Sequence, residues 1–125
     1  MYTTSSAEHV LSLTRNAAQA TQELLEHLPR QDVPQAEHES ETLSQIALAL
    51  SSLHIASKQI QYRLDILHQD HTLQQNRYLS DTHKKGLSLE RAQERFASAV
   101  DHLNKARKQV GAVADILSFF YHEEP

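Results

Sequence analysis

Leu89, Phe96, Leu103, Val110 and Leu117 stand seven residues apart, and Ala92, Ala99, Ala106, Val113 and Phe120 repeat that step three residues later. Five such repeats in succession specify an α-helix with one apolar seam, because a period near 3.5 residues keeps both rows on one side of the helix. Alanine in the second row predicts close approach of a neighbouring helix axis. This helix is predicted over about residues 88–121, with Ser88 as its cap and Glu90 in its first turn. A chain organised around such a seam is all-α.

Little interrupts the rest. Two glycines and three prolines in 125 residues leave few places for a helix to stop. Pro29 and Pro34 bracket one break, and Gly86, with Lys84 and Lys85 before it, marks a second. Glycine past a helix end can close it, and the lysines suit the negative end of the helix dipole. Gly111 falls inside the third helix, on the side away from the seam, and costs about 1 kcal/mol of helix propensity.

A first helix is predicted over about residues 6–28. Ser5 and Glu8 have capping-box spacing, and Val10, Leu13, Ala17, Ala20 and Leu24 recur at threes and fours along one face. Pro29 ends it by pushing its predecessor out of the helical region. A second helix is predicted over about residues 36–83. Leu43, Ile46, Leu50, Leu53, Ser57, Ile60, Leu64 and Leu67 form its repeat, which continues through His71, Gln74 and Tyr78. A break at Asp70, His71 and Thr72 is the alternative, since Asp and Thr readily cap a new start; continuity is the expectation.

These lengths predict an elongated antiparallel three-helix bundle forming a single domain over residues 1–125. Helix 2 and helix 3 make a long coiled-coil-like hairpin that outreaches helix 1, which lies against the start of helix 2. A second apolar stripe on helix 2, Leu48, Ile55, Tyr62, Ile66 and Leu73, lies off the first seam, and a helix apolar on two faces needs neighbours on both sides. Dimerisation completing a four-helix bundle is therefore expected, with Tyr62, Leu64, Ile66, Leu67, Phe96 and Leu103 as the interface.

Several function classes have no support. Absence of cysteine excludes disulfides, thiolate zinc sites and a cysteine nucleophile. No Gly-x-Ser-x-Gly turn occurs, and two glycines leave no phosphate-cradling loop. The longest apolar run, Ile46 with Ala47, Leu48, Ala49 and Leu50, falls far short of the roughly 20 residues a membrane span needs. Residues 1–10 lack the basic patch and apolar core of a secretory signal. The expectation is a soluble cytoplasmic protein with no cofactor, no catalytic group and no membrane contact.

Nine histidines are the unusual count. Asp65, His68 and His71 share part of one helix face, and imidazoles with a carboxylate suit zinc or iron, so a metal-binding bundle is the alternative. The second copy of the motif that a dinuclear bundle uses is missing. His71 in the seam is also a candidate pH-sensitive specificity device. Charge is uneven: residues 77–108 carry eight Lys/Arg against four Asp/Glu, while residues 1–76 carry four against nine. A basic tip with Lys84, Lys85, Arg91 and Arg95 makes weak nucleic-acid binding the third reading. Phe119, Phe120 and Tyr121 cannot all face one seam, so at least one is expected at the surface. The leading expectation is a non-enzymatic protein–protein interaction module of adaptor, chaperone or accessory type. It acts as a homodimer that also meets a protein partner.

Overall fold

A computed structural model describes residues 4–30, 33–73 and 85–123, and their side chains apart from those of residues 4, 5 and 85–87. Three helices and no strand occur among them: α1 Thr4–His27, α2 Ala36–His68 and α3 Lys85–Leu117. The chain divides into two units, Met1–Pro34 and Gln35–Pro125.

The first unit is α1 followed by a 3₁₀ turn, Leu28–Arg30. Proline at position 29 disfavours the α region for Leu28, and the helix ends one residue before it. The start differs from the capping-box expectation: α1 begins at Thr4, so Ser5 lies within the helix instead of before it. Thr14 and Thr21 donate their hydroxyls to Val10 O (2.9 Å) and Ala17 O (2.8 Å), one turn back, which keeps both polar groups satisfied on the helix itself.

The second unit is the antiparallel pair of α2 and α3. Its register is set by three contacts. Ser40 donates its hydroxyl to Ala114 O (2.8 Å), the Ala47 Cβ lies 3.9 Å from where a Cβ on Gly111 would stand, and Gln93 Nε2 donates to Asp65 Oδ1 (2.6 Å). Gly111 thus faces α2, correcting the expectation that it points away.

α2 ends at His68 and does not run on to residue 83. Gln69 still bonds back to Asp65 O (3.3 Å) and Ile66 O (3.1 Å), but Asp70 then turns the chain. Its Oδ1 accepts from the Thr72 amide (2.8 Å) and the Thr72 hydroxyl (2.7 Å), an Asx turn that offers the backbone a local partner in place of the helical ladder. His71 is therefore exposed in a turn, not in the seam; Gln74 and Tyr78 lie outside the described residues.

α3 also differs at both ends. It starts at Lys85, so Gly86 and Ser88 belong to its first turns and not to a connecting loop with Ser88 as cap. It stops at Leu117 instead of about 121. No basic side chain occupies its last turn, and Glu123 follows, so the negative end of its dipole gains no compensation there. Ser118 and Phe119 close it with bonds to Ala114 O (3.0 Å) and Ile116 O (3.2 Å).

Candidate interaction face

The contact between α2 and α3 does not use both rows that the sequence marks. In each helix the lead row is half-buried: Leu43, Leu50, Ser57 and Leu64 on α2; Leu89, Phe96, Leu103, Val110 and Leu117 on α3. The second contact row follows it by four residues, not three. On α2 it is Ala47, His54, Gln61 and His68; on α3 it is Gln93, Val100, Arg107 and Ala114. Among the described apolar residues only Val100 and Ala114, at 5% and 2% exposure, are buried, and both stand in this row. The rows three residues after the lead are left largely outside: Leu53 and Ile60 keep 52% and 47% exposure, and Leu67, Ala92, Ala99, Val113 and Phe120 are also exposed. Ile46 and Ala106 are the half-buried members.

Handedness gathers these outer rows. Both helices wind right-handed and run antiparallel, so rows offset in the same sense from the contact line fall on the same side of the pair. The lead rows meet along the middle, with the plus-three rows outside them. Of the residues just named in these four rows, Ser57 alone is polar. The other side of the contact is lined by small and polar residues: Ser51, Ala97, Asn104 and Gly111 are half-buried there, and Arg107 Nε, from the contact row, donates to Asn104 Oδ1 (2.9 Å).

His54 is the buried polar residue of the contact, at 9% exposure. Desolvation between the helices is the main cause holding its pKa below 6.5. Lys58 and Arg107 push the same way, Asp101 opposes them, and Lys108 adds a smaller lowering. The charged form of the imidazole is thus disfavoured. Asp101 itself is lowered by the hydrogen bond and charge of Lys105 (3.0 Å), in an exposed pair.

The sequence-predicted interface residues divide between two places. Leu64, Phe96 and Leu103 stand in the lead rows and Leu67 beside them, all on the apolar face. Tyr62 and Ile66 are exposed with Leu48 and Ile55 in a separate stripe on α2, off that face. Of the supposed second seam row, Ala92, Ala99, Ala106 and Val113 form the outer row of α3 and not its contact with α2, and Phe120 lies beyond the helix. His54 was missed. Its only signal was its place four residues after Leu50, a row polar enough (Gln61, His68) to look like surface.

The metal candidates are not gathered. Asp65 accepts from Gln93, His68 is half-buried at the end of α2 and His71 is exposed beyond it. Among the described residues no three His, Asp or Glu side chains are grouped as a metal site would need. Of the basic tip, Arg91 and Arg95 are exposed; Lys84 lies outside the described residues. No described helix is long and apolar enough to cross a membrane. Phe119, Phe120 and Tyr121 are all exposed beyond α3. Comparison with protein-family models, curated proteins and solved structures finds no match to this chain.

Proposed function

We propose that the chain is a non-enzymatic helical interaction module that works as a homodimer, two α2–α3 pairs closing face to face into a four-helix bundle. The observation that carries this reading is the one-sided alignment of the lead and plus-three rows. A coiled-coil pattern is satisfied only when both rows are covered, and the α2–α3 contact covers one. The face runs about 36 Å from Leu43 to Leu67 at 1.5 Å per residue, and two helices are about 20 Å across. Stacking two such faces buries on the order of 1,400 Å², inside the range of stable protein interfaces.

Sedimentation equilibrium tests it. A mass twice that of the 14.2 kDa chain is expected, and a single-chain mass overturns the reading. Leu53→Glu with Ile60→Glu places carboxylates in the outer row, where α3 does not press on them. The expected result is a monomer with its helical circular dichroism retained. A dimer surviving both substitutions assigns association to another surface and contradicts the proposal. Charging Leu64 and Phe96 should also dissociate the dimer, but these residues lie nearer the α2–α3 contact and test folding as well.

A further inference from the structure

We infer that the second copy docks antiparallel, about a two-fold axis crossing the face level with Ser57, so that α2 lies on the partner's α2 and α3 on the partner's α3. The inference rests on the homodimer reading and adds its orientation. Two arrangements bring one apolar face onto another with two-fold symmetry. An axis along the helices stacks α2 on the partner's α3 with corresponding ends together. An axis across them stacks like on like with ends reversed.

Charge separates the two. Residues 36–47 and 111–123 form one end of the pair and carry Glu37, Glu39, Glu41, Asp115 and Glu123 with no lysine or arginine. Residues 48–73 and 85–110 carry eight Lys/Arg against five Asp/Glu. The parallel arrangement sets both acidic ends side by side. It also brings Arg63 level with the partner's Arg95, because the register that joins Asp65 to Gln93 puts positions 63 and 95 at one level. Like charges brought together across an interface cost several kcal/mol. The antiparallel arrangement sends the acidic ends apart.

The apolar rows have a matching centre. The midpoint of Ile46, Leu53, Ile60 and Leu67 falls between Leu53 and Ile60; that of Ala92, Ala99, Ala106 and Val113 falls between Ala99 and Ala106. The α2–α3 register places these midpoints within about one residue rise, 1.5 Å, of each other. One transverse axis therefore centres both rows. Across it Leu53 meets the partner's Ile60, and Ala99 meets the partner's Ala106, where small side chains let the two α3 axes come close.

The chain has no cysteine, so single cysteines report the contact without background. Ala99→Cys, Ala106→Cys and Leu53→Cys are made separately in the full-length chain, mixed in pairs, unfolded, refolded together and oxidised. A disulfide needs Cα atoms within about 7 Å, and seven helical residues displace a site by about 10 Å. Antiparallel docking therefore predicts a strong cross-link between the Ala99→Cys and Ala106→Cys chains, and little from either alone or from Leu53→Cys with Ala106→Cys. Preferential linkage of the Leu53→Cys and Ala106→Cys chains assigns the parallel arrangement and overturns the inference. Absence of every link from a species of dimeric mass also overturns it, while leaving the homodimer standing. A single-chain mass for the unsubstituted protein removes both.

Discussion

His54 connects burial to pH. An imidazole desolvated between α2 and α3 binds its proton less readily than in the unfolded chain, whose value is near 6.5. Where the unfolded state binds more protons, stability rises with pH. The contribution of His54 is thus complete above pH 6.5 and declines as acid titrates the unfolded chain below it. Urea melts at pH 7.5 and 5.5 should show a lower midpoint at 5.5, and His54→Leu should shrink that difference; an unchanged difference contradicts the assignment. Gly111 gives a prediction of opposite sign. A Cβ there would meet the Ala47 Cβ at 3.9 Å, an ordinary van der Waals contact, with helical backbone already in place. Gly111→Ala should stabilise the pair by about 0.5–1 kcal/mol through helix propensity, and a lowered urea midpoint would show the contact is tighter than that.

At the scale of elements, the helices were legible wherever period and punctuation agreed. Pro29 and the repeat from Leu89 to Leu117 located α1 and α3 because each acts through the local backbone or an unbroken period. The end of α2 was not decided by the same signals. Nothing in the sequence forbids helix through Asp70; where α2 stops, the Thr72 amide and hydroxyl bond to its carboxylate and offer the backbone a competing local partner. Asp70→Ala removes that competitor and should lengthen α2 by about one turn, read as helical Cα chemical shifts at residues 69–72; unchanged shifts would assign the stop elsewhere. The row contacting α3 was misassigned for a related reason. Spacing of three and spacing of four both suit a helix, and apolar content favoured the three. The contact instead includes His54, Gln61, Gln93 and Arg107, polar residues that leave the greasier row free. Composition identified the oily side of each helix but not which neighbour it meets. The cap of α2 was equally illegible: Gln35 supplies no side-chain bond there, and the Ala36 amide donates to His122 Nε2 (3.1 Å) across 86 positions.

For the whole molecule, the proposed dimer face lies entirely within Gln35–Pro125. Deleting residues 1–34 should therefore leave a particle of twice the shortened mass with α2 and α3 still helical; a single-copy mass would show that the N-terminal unit takes part in association. Salt offers a second readout of charge placement. The antiparallel arrangement keeps the two acidic ends apart without pairing them to a net basic stretch, so the dissociation constant should change little between 50 mM and 500 mM sodium chloride as the Debye length shrinks. Easier association with added salt would mark like charges in contact. The site was legible to the extent that it is apolar. Leu64, Leu67, Phe96 and Leu103 carry a period that sequence displays, while orientation depends on which end of a folded pair each charge reaches.

The bond from Ala36 to His122 and that from Ser40 to Ala114 O have a consequence during biosynthesis. They span 86 and 74 positions, so α2 emerges from the ribosome well before the groups that finish its first turns. Until then its leucines and isoleucines are bare to solvent and to whatever clasps nascent oily segments. Slowing translation between codons 73 and 110 should lengthen that interval and lower the yield of native protein.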